Sequence, residues 1–327
     1  MKTISQKQRK TKKHQYRIKN WRQYNESLVK RGSITLWLDK EATDSWYATS
    51  DKKIKKEGHP FVYSDKAIET ILTLGKVYHL PLRGLEGFVQ SLTAIVTLQQ
   101  DIRIPDYSTY SRRGQNLPIQ IRKKKIKEGE NINVVVDSSG VKVYGEGEWK
   151  VRQHGASKRR TWKKIHIAIN EKGEIIAEEA TGNDISDGDA ITPLLEQVSS
   201  PIDSLAGDGA YDKQKVYNLL QQRGVSRILI PPQHNAKIWR HGNCKIAPHP
   251  RDENLRAIRK QGRKAWKIAS GYHTRSLVEN TMFRLKTILG SRIRSRSWSR
   301  QKTEIRIMCS VLNKMFYQGM PDSFQIA

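Results

Sequence analysis

The chain of 327 residues is long enough to bury a sizeable core, and its 60 Lys+Arg against 32 Asp+Glu leave a formal charge of +28. Such a surplus favours a polyanion as partner, because each neutralised phosphate releases counterions; nucleic acid fits it better than mere solubility or an acidic membrane surface. The two cysteines, Cys244 and Cys309, exclude a disulfide framework and a Cys-based zinc site, and no apolar run nears the ~20 residues that span a bilayer.

The start, MKTISQKQRKTKKHQYRIKNWR, has no acid and no apolar segment, so it is no secretory signal. A basic arm that touches phosphates accounts for it more simply than an organelle transit peptide. Tyr24 to Asp39 predicts a short helix, a glycine turn and a strand, and the polar stretch Asp51 to His59 a loop. Helical periodicity follows over Ser64 to His79 and Gly84 to Leu98, and Pro105 and Asp106 open a third helix. Three short helices followed by Arg112 and Arg113 suit a helix-turn-helix-like DNA reader, although a bundle that binds nothing gives the same pattern.

The pattern changes after the charged connector Ile121 to Asn131. NINVVVDSSGVKVYG predicts a β-branched strand ending at Asp137, a turn and a second strand; WKKIHIAIN and EIIAEEAT continue as a hairpin. DGDAITPLLEQV is a helix with Asp189 as its cap, SLAGDGAYD a strand ending at Asp208, and KQKVYNLLQQRG a helix closed by Gly224. SRILIPP is a further strand, Gln233 to Gly262 a basic irregular stretch, and Tyr272 to Lys286 an amphipathic helix. Strands first, then strands alternating with helices, point to a mixed α/β sheet with helices packed on it.

Asp137 and Asp208 sit at the predicted ends of apolar strands, where ligands gather in α/β sheets. On the last helix Tyr272, Arg275, Glu279 and Lys286 fall within roughly 60° of one another at ~100° per residue. Singly, each acid reads as a turn aspartate or a solvated helix residue. Together, three carboxylates on separate elements can hold two magnesium ions ~4 Å apart for phosphodiester displacement. Asp184, Asp187 and Asp189 lack the length and glutamate of a calcium loop and read as structural. His154, His166 and His234 have no metal-ligand spacing.

Tyr272, Arg275, Glu279 and Lys286 match at every step the Y-(2)-R-(3)-E-(6)-K signature of the DDE transposases of bacterial insertion sequences. Asp137 and Asp208 match the first two acids. YNESLVKRGSITLW, RGLEGFVQSL and RQHGASKRRTWKKIH resemble the nine-hundred-and-three-type group of insertion-sequence family five. The resemblance covers most of the chain. It implies a ribonuclease H-like mixed-sheet catalytic domain over 121–310, preceded by a basic arm and a mainly helical, helix-turn-helix-like DNA-binding region over 1–120, with a C-terminal tail over 311–327.

The resemblance further implies that Asp137, Asp208 and Glu279 are catalytic and hold two Mg²⁺ ions, with Mn²⁺ able to substitute. Arg275 and Lys286 would meet phosphates of the element's end, Tyr272 a sugar or base, and Arg292, Arg294 and Arg296, with Arg300 beyond, a backbone track. Trp239 and Trp266 flank this region; core packing fits them better than an unstacked base. The implied partners are double-stranded DNA, as element ends and as target, and further copies of the chain in a homo-oligomeric synaptic complex. No membrane and no small-molecule substrate are implied, and the implied place is the nucleoid of a bacterial cytoplasm, where both cysteines stay reduced. Two alternatives stay open at this point. One is a ribonuclease H-like nuclease or resolvase that uses the same acids; the other is a non-catalytic DNA-binding repressor.

Overall fold

The computed structural model describes residues 15–48, 61–96, 102–124, 129–143, 162–240 and 247–326. The arm up to residue 14, the 51–59 loop, His154, Cys244 and most of the RQHGASKRRTW block lie outside these. The described part begins with a short strand, β1 (Gln15–Ile18), and α1 (Trp21–Arg31). Where a strand was expected, ITLW forms a helical turn, α2 (Ile34–Trp37). The Trp37 indole donates to the Arg31 carbonyl at 2.9 Å and the ring is buried, so tertiary packing overrides the β-branched preference. After α3 (Lys40–Asp44) come the three expected helices, α4 (Asp65–Val77), α5 (Leu82–Val96) and α6 (Tyr107–Arg113). Ser64 and Asp106 cap the first and the last of these by accepting backbone N–H groups.

The sheet follows from the change of period. β2 (Ile132–Val143), β3 (Trp162–Asn170) and β4 (Ile175–Thr181) form an antiparallel meander. α7 (Asp187–Glu196) leads into β5 (Ile202–Ala206), and α8 (Gln214–Gln222) into β6 (Arg227–Leu229). Both of these strands run parallel to β2, so the order is β4-β3-β2-β5-β6. Two expectations change here. β2 does not stop at Asp137, because its pairing with β3 continues through Ser138, Ser139 and Gly140 and leaves no backbone group for a turn. The cap of α7 is Ser186, with Asp189 inside the first turn and bonded to the Ser186 hydroxyl.

Alternation along β2 sorts the core into two layers. Val134 and Val136 face an apolar cluster with Leu194, Leu195, Val216 and Leu220 of α7 and α8. Val135 and Val141 face the opposite cluster, which α11 and α12 complete below. That second cluster also takes in Trp37, Trp46, Ile68, Ile71 and Leu74, so the N-terminal helices and the sheet share one core.

The stretch expected to be irregular contains α9 (Pro250–Gln261), with Pro250 at its first turn and His249 as its cap. α10 (Arg263–Ala269) follows. The expected helix from Tyr272 begins as a tight 3-10 turn, Tyr272–Arg275, and becomes α-helical only in α11 (Ser276–Leu289). β7 (Arg292–Ile293) pairs with the far end of β2. α12 (Trp298–Gln318) is buried from Ile305 to Met315, so residue 311 lies within a core helix. β8 (Ser323–Ile326) returns to pair with β1. Among the described residues no helix is long and apolar enough to cross a membrane.

Candidate active site

Asp137 and Ser139 interrupt the apolar row of β2 between Val135 and Val141, on the face that α11 covers. Pairing with β5 ends at Val135↔Ala206, so Asp137 lies just beyond the carboxyl edge of the parallel pair although β2 itself runs on. Asp208 follows β5 and caps the 3-10 turn Gly209–Tyr211, accepting the Ala210 N–H at 2.9 Å. Glu279 stands in the first turn of α11. These three separate elements bring their carboxylates to one guanidinium. Arg275 lies 2.6 Å from Glu279, 3.3 Å from Asp137 and 3.8 Å from Asp208.

The charges are not equally exposed. Asp137 is largely buried, Asp208 partly, and the Glu279 side chain is 54% exposed. Burial pushes the Asp137 carboxyl above its usual range, and Arg275 opposes that shift. Lys286, two helical turns beyond Glu279, donates to the Ser139 hydroxyl at 2.6 Å. Tyr272 is buried against Trp266, ring centroids 5.6 Å apart, and burial raises its hydroxyl to about 12. Arg292, Arg294 and Arg296 alternate as exposed residues along the chain after α11, the Arg294 side chain donating to the His79 carbonyl at 2.8 Å. Trp239 packs edge-on against Tyr217 and His249. Arg113 is tied to Asp65 and to the Tyr63 carbonyl, whereas Arg112 is exposed.

Several residues around the acids were not singled out from sequence. Tyr211 lies in the same DGAYD block as Asp208, and its ring packs so closely on Gly207 that a Cβ there would sit 2.9 Å from it. Its hydroxyl is buried, has no hydrogen-bond partner among the described residues, and is driven well above the ordinary value first by burial and then by Asp187, Asp137 and Asp208. Asp212 ends the block and receives Arg251 of α9 through two contacts, at 2.6 and 3.1 Å. Asp252, next to Arg251, accepts the backbone N–H groups of Trp239 and Arg240. The segment after β6 is therefore clasped to the block that carries Asp208. A helix opening on Pro-Arg-Asp was the available signal. Arg251→Met leaves the Asp212 carboxylate, 2% exposed, without its cation, although the Gln233 N–H still donates to it at 3.1 Å. A loss of about 3–5 kcal/mol in urea unfolding is expected; a loss below ~1 kcal/mol would show that Asp212 finds other partners.

His166 is fully buried on β3, 2.8 Å from the Thr181 hydroxyl and 3.8 Å from Asp187. Burial pushes its pKa from 6.5 down to about 4, against the pull of Asp187. As pH falls through 6.5 the unfolded chain takes up this proton first, so a contribution of ~3 kcal/mol is lost between there and the folded value. His166→Gln should lose less stability across that window than the parent protein, read as urea midpoints. Parallel losses would assign the acid sensitivity to carboxylates instead.

Carboxylate oxygens are donors suited to hard divalent cations, and the ion pairs with Arg275 show that all three face a single cation. Among the described residues, no three acidic, histidine or cysteine groups stand close enough to hold a metal ion as they are. The donor chemistry fits; closing the set requires Arg275 to move.

Two family models match the chain, each described as a transposase DDE domain, one over residues 29–146 and the other over residues 129–314. Among solved structures, the chain is similar to the piggyBac transposase in its cryo-EM synaptic complex with hairpin DNA. Identity there is 12% and the TM-score 0.42, over 89% of this chain and 74% of that one. The longer family match takes in more than half of the 327 residues and contains all three converging acids, so the chain belongs to the DDE transposase family.

Proposed function

We propose that this transposase binds the terminal inverted repeats of an insertion sequence of family five, nine-hundred-and-three-type group, cleaves DNA at the element ends and joins the 3′ ends to target DNA. The observation that carries the reading is the convergence of Asp137, Asp208 and Glu279, from three elements, on Arg275. We assign these acids as the ligands of two Mg²⁺ ions, which Mn²⁺ can replace. The chemistry that Asp137, Asp208 and Glu279 would supply by holding them is activation of the attacking oxygen and charge stabilisation of the leaving one. The meander β4-β3-β2 followed by parallel β5 and β6 supports a ribonuclease H-like assignment of the sheet.

The chain's own residues supply the rest. Asp137 is held by the sheet and Asp208 by its cap on the 3-10 turn, whereas the exposed Glu279 on α11 can adjust. Arg275 pairs with the acids in the metal-free protein and, once released, would join Lys286 as a contact to DNA phosphates. The exposed Arg292, Arg294 and Arg296 continue this line as contacts to the backbone. The mutually packed α4, α5 and α6, with Arg112 exposed after them, are the proposed reader of the ends. Joining two ends to one target calls for at least two copies of the chain acting together.

The test uses purified protein, Mg²⁺ and duplexes carrying the DNA that flanks this gene. Cutting confined to the element boundaries, followed by covalent joining of 3′ ends to a second duplex, is the expected result. Cutting without end preference or joining would instead identify a nuclease.

A further inference from the structure

Every apolar residue of α11 except one packs into or against the core: Leu277, Val278, Met282, Leu285, Ile288 and Leu289. Phe283 does not. It is 68% exposed, on a helix whose other exposed residues, Ser276, Glu279, Asn280 and Thr287, are polar or charged. At ~100° per residue, Phe283 lies about 40° around the helix from Glu279 and about 60° from Lys286, close to the middle of that exposed stripe.

A lone exposed phenyl needs no explanation on an ordinary surface. This one stands one helical turn past Glu279, and residues so spaced have Cβ atoms about 6 Å apart. A DNA strand that brings a phosphate to Asp137, Asp208 and Glu279 therefore brings the base of that nucleotide or the next within reach of the ring. A phenyl has no donor, acceptor or charge, so it can neither read a base edge nor hold a phosphate. It gains only by covering an apolar face. In continuous duplex both π-faces of each base are covered by its neighbours. A cut leaves the last base with one neighbour and one face open to water, and any base can offer that face to an aromatic ring.

We propose that Phe283 stacks on the terminal base of the cut DNA end and so holds the 3′ end at the acids. The placement of DNA along α11 rests on the proposed function; the stacking goes beyond it. The contact is apolar, so it adds affinity without adding to the salt dependence, whereas Lys286 on the neighbouring edge of the stripe acts through charge.

The test titrates protein in Mg²⁺ with labelled duplexes that stop at the element boundary in a 3′-dideoxy nucleotide, so that nothing is cut or joined. Phe283→Ala should bind them about 10-fold more weakly with the parent's salt slope, and Phe283→Trp should bind as the parent does. The melting temperature of Phe283→Ala should match the parent's, since the ring is exposed. A duplex whose terminal nucleotide lacks its base should bind the parent about 10-fold more weakly, yet bind Phe283→Ala no worse than the intact duplex does. Losses that add, or parental binding by Phe283→Ala, overturn the proposal. So does a smaller sedimentation mass for Phe283→Ala without DNA, which would make the ring a contact between copies of the chain. Lys286→Ala, titrated alongside, tests the reading beneath. A lowered slope there beside parental binding by Phe283→Ala strikes out the stacking alone; no effect of either variant strikes out the placement of DNA along α11 as well.

Discussion

Asp137→Asn, Asp208→Asn and Glu279→Gln are each expected to lower end cleavage and 3′ joining on the order of 10³-fold or more, while end binding persists. A neutral amide is a poor ligand for Mg²⁺, and several kcal/mol of charge stabilisation in the transition state translate into factors of that size. The three should differ in the metal-free protein. Asp137 is largely buried and bonded to Arg275 at 3.3 Å, so its loss changes packing and charge together. Glu279 is mostly exposed, and its pairing with Arg275 at 2.6 Å is an i,i+4 surface contact worth ~0–1 kcal/mol. Glu279→Gln should therefore be inactive yet nearly as stable as the parent, which makes it the cleanest of the three. Near-parental cleavage by any one variant would remove that residue from the site.

Where the sequence was legible, a local rule agreed with the tertiary one. Ser64 and Asp106 mark helix starts because their side chains accept the first free N–H groups, whatever the helix packs against. WKKIHIAIN was legible likewise, because its β-branched run suits a strand that is buried on both faces from Ile165 onward. The failures have the opposite character. Ser138-Ser139-Gly140 carries turn chemistry, yet β3 pairs across it, with the Trp162 ring so near Gly140 that a Cβ there would sit 3.2 Å from it. ITLW is β-branched, yet burial of Trp37 coils it. The charge pattern changes at Ile121, but the apolar cluster does not: Ile71 and Leu74 share it with Ile165 and Met308. The order of acids along the chain was readable from a motif. Their meeting on Arg275 was not, since spacing along one helix says nothing about which strand faces it, and the helix itself begins only at Ser276.

Arg275→Ala and Lys286→Ala are therefore expected to separate, although both lie in the same signature. Among the described residues Lys286 has no carboxylate within ion-pair distance; its ammonium rests on the Ser139 hydroxyl. Its charge is available to phosphate at all times, so Lys286→Ala should lower the magnitude of the salt slope for end DNA by about one, with or without Mg²⁺. Arg275 is held by three carboxylates, and its Nε is buried without a hydrogen-bond partner among the described residues. In the metal-free protein its charge is already spent on those acids, so Arg275→Ala should leave the slope unchanged there. Its removal should instead destabilise the metal-free fold by roughly 2–4 kcal/mol, because the acids then face one another without a cation. Adding Mg²⁺ should restore much of that stability and raise the melting temperature more than it does in the parent protein. It should also expose a slope difference of about one, since the parent's arginine is then free to meet DNA. Urea and thermal unfolding with EDTA and with Mg²⁺, beside DNA titrations at several salt concentrations, measure these quantities. An Arg275→Ala protein that is no less stable in EDTA, and gains no more from Mg²⁺ than the parent, would show that the guanidinium is not the cation that holds the three acids apart from one another.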